Sequence, residues 1–451
     1  MGQRAGLARQ RRRADAGLSL VAAPIPATAA ATFTASGKPL TNRWLALALL
    51  VMVAVLNYAD RFLIPGLAQP IKAHFGISDT MMGALMGPAF ALLYSVFTLP
   101  IARAADRRSR VMIIALGCGF WSFFTLLSGL ATSAWMLALA RVGVGIGEAA
   151  YQAPAAALIA AYFPAAERGR AFALLGTAIY VGQMAGLAGG PAIAAHATWQ
   201  TAFHALGIVG IVIALATWLI VREPAREAVD DAAPRLPLKD TMRLLIGTPS
   251  VMLLATIMAL GSLSGVTFGM WGPALFERAY GLSTQAAGAT FALSFGLPGL
   301  IGVLGFGFVS DKLGKGDATV QMRLTALALG GATTAILLVT WSDSLTVARL
   351  LAVPAGLLGG GWSVGVLAGL QYILPNAHRA TGTALVMLIS SMFANVLGPV
   401  VAGQLSDWIA GAGPQGLRIG LSVAIPTGYV GVWAALRAVR TLERDRAALA
   451  G

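Results

Sequence analysis

Long apolar stretches follow one another along nearly the whole chain, and they constrain the fold more than any other feature. A helix needs about 20 mostly apolar residues to cross the hydrocarbon core of a bilayer. Because backbone polar groups find no water there, spanning segments must be helices or closed barrels, and the alternating strands of a barrel are absent from this sequence. The sequence therefore predicts an all-α polytopic membrane protein with twelve transmembrane helices. The stretches are residues 43–70, 80–103, 110–132, 134–163, 169–195, 199–221, 249–279, 284–309, 319–341, 345–374, 380–409 and 417–440.

Composition excludes the soluble alternatives. Hydrophobic residues make up 57% and charged residues 11% of the 451 residues, whereas soluble domains average roughly 45–50% and about 25%. A soluble chain does not bury so much apolar surface, which argues against a disordered protein, a secreted disulfide scaffold and a nucleic-acid-binding module. The single cysteine, Cys118, lies in an apolar stretch and has no second cysteine for an intrachain disulfide.

The formal charge of +14 is distributed in a pattern that orients the chain in a membrane. Of the 32 lysines and arginines, 26 lie before the first stretch, after the second, fourth, sixth, eighth and tenth stretches, or at the C-terminus, counting those at the adjoining ends of the stretches. Basic residues accumulate on the cytoplasmic side of membrane proteins. We therefore expect both termini in the cytoplasm and the protein in a bacterial-type inner (plasma) membrane.

Polar segments divide the chain into two halves of similar length. Residues 1–42, rich in arginine and then in alanine, proline and threonine, are predicted to be a disordered cytoplasmic tail. Residues 223–248 are the longest polar interruption and are predicted to link two six-helix bundles, at 43–222 and 249–440. A second cytoplasmic tail is expected at 441–451.

A short charged turn occurs at the same place in each half, reading ARAADRRSRV at 102–111 and GFVSDKLGKG at 307–316. It resembles the signature turn of the major facilitator superfamily. That resemblance implies two bundles related by pseudo-two-fold symmetry around a central cavity. We expect the turns to form a cytoplasmic gate, in which the carboxylate faces a helix N-terminus and an arginine of the other half and holds the outward-open state. The gate residues predicted in this way are Asp106, Arg107, Arg110, Asp311, Lys312 and Lys315.

Further strings resemble the spinster group of that superfamily, which exports lysolipids and sphingolipids. Proton-coupled symporters of organic anions in the same superfamily also carry the first of these strings. The resemblance implies alternating-access transport of an amphiphilic lipid-like substrate, with a small hydrophilic organic anion as the alternative cargo. The strings are NYADR (57–61), FALLY (90–94), WSFFTLLSGLA (121–131), GIGEA (145–149) and YFPAAERGRA (162–171).

Two acids and two arginines of the first half fall within predicted spans. A charge at that depth costs several kcal/mol and usually faces the interior of a bundle. At a rise of 1.5 Å per residue, Asp60 lies about 25 Å along the first helix and Glu148 about 21 Å along the fourth. Arg141, Gly145, Glu148 and Gln152 recur at helical spacing, so they are expected on one face of the fourth helix, towards the cavity.

These charges allow two interpretations. A carboxylate beside an arginine stays ionised, and withdrawal of the arginine lets the buried acid take up a proton, which predicts Asp60 and Glu148 as proton carriers. Arg61 and Arg141 are then counter-charges, or they bind an anionic headgroup bidentately. The alternative is a pair of static ion bridges, Asp60 with Arg141 or Glu148 with Arg61, that lock the first helix to the fourth.

The second half places no charge at mid-depth in its seventh, eighth, tenth and eleventh predicted helices. A cavity with one charged and one apolar wall suits a substrate with a polar head and an apolar body. No cofactor, metal site or ATP-binding motif is predicted, so we expect a transporter and not an enzyme, with an amphiphile and protons as its partners and a monomer as its oligomeric state. The predicted cavity-lining residues are Tyr58, Tyr94, Tyr151, Gln152, Phe268, Trp271, Trp362 and Met392.

Overall fold

The computed structural model describes residues 40–225, 238–314, 317–411 and 413–450, which form helices joined by short connections. Eleven helices in this part of the chain are long and apolar enough to cross a membrane, which confirms the predicted all-α membrane fold. Most of the predicted N-terminal tail and the middle of the predicted linker lie outside the described residues. A short helix, Ala68–Phe75, lies between the first and second of the long helices. In chain order the long helices are α1 (Arg43–Gly66), α2 (Asp79–Arg107), α3 (Arg110–Gly129), α4 (Ala134–Glu148 and Gln152–Tyr162), α5 (Ala165–His196), α6 (Trp199–Ile220), α7 (Pro249–Tyr280), α8 (Thr284–Gly314), α9 (Ala318–Trp341), α10 (Leu345–Ile373), α11 (Asn376–Ala410) and α12 (Pro414–Ala424 and Thr427–Ala450).

The fourth span was expected to be one helix, but α4 is broken between Glu148 and Gln152. Neither segment reaches the length of a membrane-crossing helix alone, whereas the two together have that length. Proline lacks an N–H, and its ring collides with the carbonyl four residues earlier. Pro154 therefore disfavours a regular helix through Ala150, which lies in the break. As a result, Glu148 is the last residue of the first α4 segment.

Helices α5 and α8 each contain one wider, π-helical turn. The turns cover Ala185–Gly189 and Ala292–Gly296. Each turn ends two residues before a proline, Pro191 in α5 and Pro298 in α8. Since proline cannot donate the hydrogen bond that a regular helix requires, a locally rearranged turn just before it is a physical consequence of the sequence.

Two segments that were predicted to be polar connections contain helix. The linker predicted at 223–248 includes a short helix, Leu238–Gly247, which we call the linker helix. Its sequence is amphipathic, and Leu245 packs into the core beside α10 and α11. The C-terminal tail predicted at 441–451 continues α12 as far as Ala450.

The helices pack as two bundles with the same internal arrangement. In the first bundle, α1–α6, which we call the N-half, α1 packs against α5, α2 against α4 and α3 against α6. In the second bundle, α7–α12, which we call the C-half, α7 packs against α11, α8 against α10 and α9 against α12. Adding six to each helix number converts one set of pairs into the other, as expected for halves related by pseudo-two-fold symmetry.

The two halves meet at one side of the molecule. We call the side where α1 begins and α12 ends the termini face, and the side where α1 ends and α2 begins the far face. Towards the far face, α2 packs against α11 and α5 packs against α8. Gly83 lies against the backbone of Pro399, and Gly288 lies against the carbonyl of Leu187, so a side chain at either glycine would overlap the other half. The far face is therefore closed by direct backbone contact.

Candidate substrate and proton site

Asp60 and Arg141 form a fully buried ion pair between α1 and α4. Arg141 Nη1 donates to Asp60 Oδ1 over 2.9 Å, and the side chains of Arg141 and Asp60 are 2% and 1% exposed. Thr125 of α3 donates its hydroxyl to the other carboxylate oxygen, Asp60 Oδ2, over 2.7 Å. Both oxygens of Asp60 thus have a partner, and the pair joins three helices of the N-half.

Arg61 and Glu148 form a second ion pair between the same two helices. Arg61 Nε donates to Glu148 Oε2 over 2.6 Å, and the Arg61 side chain is 20% exposed whereas that of Glu148 is fully buried. The guanidinium group lies over three aromatic rings, at 5.2 Å from Tyr58, 4.8 Å from Phe90 and 4.7 Å from Tyr94. These rings offset part of the cost of removing the cation from water.

Local sequence places these four charges together. Asp60 and Arg61 are neighbours on α1, whereas Arg141 and Glu148 are seven residues apart, two turns along one face of α4. Between them, Gly145 contacts the backbone carbonyl of Phe90, and a methyl group there would overlap that carbonyl. A larger residue would therefore push α2, with its aromatic rings, away from the ion pairs.

The second ion pair lies at a polar cavity of about 160 Å³ within the N-half. We call it the polar cavity; all four N-half cavity residues predicted from the sequence line it. Tyr94 donates its hydroxyl to Gln152 Oε1 over 3.2 Å, and Tyr151 donates to the Leu50 carbonyl over 2.7 Å. The lining residues that carry a polar side chain are Asn57, Tyr58, Arg61, Tyr94, Glu148, Tyr151 and Gln152.

Two buried polar atoms in the walls of this cavity have no hydrogen-bond partner among the described residues. They are Asn57 Nδ2, a donor, and Glu148 Oε1, an acceptor. An unsatisfied buried polar group costs about 1–3 kcal/mol. A bound group that both donates and accepts, such as a hydroxyl, has the chemistry to complete both.

A second cavity, of about 250 Å³, lies between the halves and differs in chemistry. We call it the interdomain cavity. Among the described residues its lining contains no charged side chain and is rich in glycine and apolar side chains, and Trp362 belongs to it as predicted. The lining residues with an uncharged polar side chain are Tyr180, Gln183, Ser262, Ser264, Thr333 and Ser363. Ile179 of α5 lines both cavities, so the polar and interdomain cavities adjoin there.

Three predicted lining residues of the C-half lie elsewhere. Phe268 is fully buried and packs its ring against Phe291 and Phe295. Trp271 is fully buried and donates Nε1 to the Pro399 carbonyl over 3.0 Å. Met392 is 41% exposed on α11 and lines neither cavity. These apolar side chains carry no sequence signal that separates a cavity wall from a helix contact.

An ionic network that the sequence reasoning missed closes the far face. Arg278 of α7 donates Nη1 and Nη2 to the two carboxylate oxygens of Asp79 at the start of α2, each over 2.6 Å. Lys72 also pairs with Asp79, and Ser406 of α11 donates to it over 2.7 Å. The Asp79 side chain is fully buried, so these donors replace the water that it gives up. We call Asp79, Arg278, Lys72 and Ser406 the far-face latch.

Asp407 reinforces the latch from the end of α11. Its carboxylate accepts from the backbone N–H groups of Asp79 and Thr80, over 3.0 Å and 2.7 Å, and from the Thr80 hydroxyl over 2.6 Å. It therefore caps the N-terminus of α2 with a charge from the other half. The only signal for this in the sequence was the placement of Asp79, Arg278 and Asp407 at predicted helix ends.

The gate residues predicted from the repeated turn lie at the termini face. Asp106 and Arg107 are exposed at the end of α2, Arg110 is half-buried at the start of α3, and Lys312 is exposed near the end of α8. The side chain of Asp311 and the whole of Lys315 lie outside the described residues. The fastening of one turn to the other half therefore stays a prediction.

Glu223 organises the turn after α2 in a way that the sequence did not indicate. Its Oε2 accepts from the Ser109 hydroxyl over 2.9 Å and from the Val111 N–H over 3.0 Å. The carboxylate therefore ties the end of α6 to the N-terminus of α3. No group of three or more histidine, cysteine, aspartate or glutamate residues that suits a metal ion occurs within the described ranges.

Comparison with known proteins finds relatives along nearly the whole chain. The family model described as Major Facilitator Superfamily matches residues 49–432. An MFS-type efflux pump of Mycolicibacterium smegmatis is 32% identical over 370 residues, which cover 81% of this chain and 84% of that protein. Protein spinster homolog 1 of Homo sapiens is 29% identical over 437 residues, which cover 89% of this chain and 81% of that protein. The resemblance to the superfamily and to its spinster group, inferred from the sequence motifs, is confirmed.

A solved structure has the same fold. It is that of a bacterial homolog of the human lysosomal transporter spinster in an inward-facing and unoccupied conformation. The TM-score is 0.80 at 26% sequence identity, and the match covers 90% of this chain and 98% of that one.

Proposed function

The chain belongs to the Major Facilitator Superfamily and is a secondary transporter that works by alternating access, and we propose that it carries an amphiphilic, lipid-like substrate in exchange or symport with protons. The substrate class that we propose is a lysophospholipid or sphingolipid. The observation that carries this proposal is the adjoining pair of cavities, one holding an ion pair, the other uncharged and lined mainly by glycine and apolar side chains. A headgroup fits the first, and an acyl chain fits the second.

The Arg61–Glu148 pair is the proposed site of proton coupling. Arg61 is the more exposed partner and its guanidinium borders the polar cavity. An anionic headgroup that attracts Arg61 weakens its hold on Glu148, and the buried carboxylate then takes up a proton because burial disfavours its charge. Return of Arg61 after substrate release expels that proton. Asp60 is the other carrier predicted from the sequence; because Arg141 and Thr125 satisfy both of its carboxylate oxygens, we propose that its pair mainly bridges α1 and α4.

We propose further that the termini face is cytoplasmic, in a bacterial-type inner membrane, and that the transporter acts as a monomer. The distribution of basic residues supports this orientation. The closed far face then corresponds to an inward-facing state, in keeping with the inward-facing conformation of the similar solved structure.

A small hydrophilic organic anion is the second candidate substrate. The observation in its favour is Arg61, which presents a guanidinium to a cavity only about 160 Å³ in volume. A carboxylate is bound bidentately by such a group. The uncharged interdomain cavity has no role in this alternative.

Uptake into proteoliposomes separates the two candidates. A labelled lysophospholipid and a labelled organic acid are supplied in parallel, each with and without a pH gradient. We expect movement of the lysophospholipid, accelerated by the gradient, and no movement of the acid. Absence of lysophospholipid movement in both conditions rules out the lipid proposal, and gradient-driven movement of the acid alone establishes the alternative.

A further inference from the structure

Helix α3 bears two apolar grooves on the outer surface of the N-half, one on each side. The α3/α6 groove has a volume of about 570 Å³ and is lined by apolar side chains of α3 and α6, among them Met112 and Trp218. The α3/α4 groove has a volume of about 320 Å³ and is lined by α2, α3 and α4, among them Ala104 and Ile113. Neither groove borders the polar or the interdomain cavity, so transport does not account for them.

The two grooves flank a single ridge. Leu116 and Phe120 of α3 line both of them. A glycine lies at the base of each groove, Gly119 on the α6 side and Gly117 on the α4 side. The missing side chains create the two depressions, and the exposed ridge side chains separate them. Two apolar grooves, one on each side of a single ridge, match the two acyl chains of a single diacyl lipid.

The length and depth of the α3/α6 groove suit one leaflet. It extends along α3 from Met112, close to the start of the helix at the termini face, to Phe123. Eleven residues of helix rise about 16 Å, which is about half the thickness of the hydrocarbon core. An acyl chain in the groove thus runs from the headgroup level to the middle of the bilayer.

Arginines stand at the headgroup end of both grooves. Arg107 follows Ala104 by three residues on α2, and Arg110 precedes Ile113 by three residues on α3, so both lie on the groove-lining faces. Arg222 follows Trp218 by four residues, just beyond the end of α6. Arg107 and Arg222 are exposed and Arg110 is half-buried.

Counted over the described residues, the rim of the grooves keeps a positive excess. The carboxylates nearest to its arginines along the described chain are Asp106 and Glu223, and the carboxylate of Glu223 is engaged by Ser109 and the N-terminus of α3. Segment 103–110 alone contributes four arginines. The arginines of the rim therefore favour a lipid headgroup whose phosphate is not neutralised by a cationic group of the same headgroup.

We infer that α3 holds one diacyl phospholipid with a net negative headgroup, its two chains in the two grooves and its phosphate at Arg107 and Arg110. This lipid is distinct from the transported substrate, and the inference does not depend on the substrate class. It occupies the leaflet at the termini face. Near a membrane surface each basic residue contributes about a fivefold gain in affinity for an anionic lipid.

Native mass spectrometry of the delipidated full-length protein tests the inference. The protein is titrated with phosphatidylglycerol, phosphatidylcholine of the same chains, and single-chain lysophosphatidylglycerol. We expect one phosphatidylglycerol to be retained, at least fivefold more than phosphatidylcholine, and we expect Gly119→Leu to lower retention of phosphatidylglycerol but not that of the single-chain lipid, which also fits the transport cavities. Equal retention of phosphatidylglycerol and phosphatidylcholine overturns the headgroup assignment, and an equal loss of both phosphatidylglycerol and the single-chain lipid in Gly119→Leu overturns the two-groove assignment.

Variants locate the site. Arg107→Gln combined with Arg110→Gln should abolish the headgroup preference, whereas Arg243→Gln, which removes an exposed arginine of the linker helix, should leave it unchanged. Gly119→Leu should fill the α3/α6 groove and lower retention several-fold, because a Cβ there makes only ordinary contact with Ala214. Gly305→Leu is the matched control, since a Cβ at that position meets nothing within 4 Å. Two results contradict the inference. One is lipid retention in Gly119→Leu that equals that of the wild type; the other is a lipid-free dimer that Gly119→Leu disrupts, since a second copy of the chain then occupies the groove.

Discussion

At the scale of single residues, the two ion pairs between α1 and α4 differ in exposure, and this difference assigns them different tasks. Asp60 and Arg141 are almost completely buried, and Thr125 satisfies the second carboxylate oxygen. Glu148 retains one oxygen without a partner among the described residues, and Arg61 borders a cavity. The first pair has the properties of a structural bridge, and the second has those of a pair that opens and closes during transport.

Removal of Arg141 should therefore cost more stability than removal of Arg61. Arg141→Met leaves a buried carboxylate without its counter-charge, a change that costs about 3–5 kcal/mol. In Arg61→Met the replaced side chain borders the polar cavity, which admits water, so the loss in free energy of unfolding should be smaller. Thermal or denaturant unfolding in detergent measures both, and Arg141→Met with Asp60→Leu should recover part of the loss. Equal losses for the two single variants contradict the division of tasks.

Glu148→Gln should uncouple transport from the proton gradient. The amide keeps the size of the side chain and an oxygen for Arg61, but it neither binds nor releases a proton. We expect substrate exchange without a gradient to continue and gradient-driven accumulation to be lost. Glu277→Gln is the matched control, because Glu277 lies near the far-face end of α7 and accepts from Thr284. If accumulation survives both Glu148→Gln and Asp60→Asn, neither carboxylate carries the proton.

At the scale of helices, hydropathy predicted where the chain crosses the membrane, and residue spacing predicted that the charges of the first and fourth helices lie together in the bundle interior. The pairing of Asp60 with Arg141 and of Glu148 with Arg61 was one of two interpretations of these charges, based on helical periodicity and the cost of a lone charge in lipid. The break in α4 was missed because hydropathy averages over a window and does not register Pro154. The far-face latch was missed for another reason: Asp79 and Arg278 are 199 residues apart, and only the packing of the halves brings them together.

Backbone contact between helices of opposite halves should be as important as charge for closing the far face. Gly83→Val places a branched side chain where α2 meets Pro399 of α11. Overpacking of that kind costs about 1–3 kcal/mol in the closed state only, so the ratio of far-face-open to far-face-closed molecules should rise about fivefold or more. Distances between spin labels at the far ends of α2 and α11 report the ratio.

A control for Gly83→Val is available in α8. A methyl group added at Gly305 would meet nothing within 4 Å, so Gly305→Val should leave the distances unchanged. Distances in Gly83→Val that equal those of the wild type would show that the contact does not limit closure.

At the scale of the whole molecule, alternating access requires that each face have its own fastening and that the two oppose each other. The far-face latch fastens one side through Asp79. The predicted gate at Asp106 and Asp311 would fasten the termini face in the other state. Loss of the far-face latch favours the far-face-open state, and loss of the predicted gate favours the far-face-closed state. Variants of the latch and variants of the gate should therefore shift the ratio of the two states in opposite directions.

Asp79→Asn should favour the far-face-open state, because it removes the negative charge that Arg278 and Lys72 share at a buried position. Asp106→Asn or Asp311→Asn should favour the present, far-face-closed state. For Asp79→Asn, breaking a buried pair costs about 3 kcal/mol, which corresponds to about a hundredfold change in the ratio of the two states. Spin-label distances across both faces, measured on each variant, give the direction of every shift.

Asp343→Asn is the control, since Asp343 pairs with Arg418 within the C-half. Shifts of the same sign for Asp79→Asn and Asp106→Asn would contradict opposed fastenings, and wild-type distances in both Asp106→Asn and Asp311→Asn would remove the gate at the termini face.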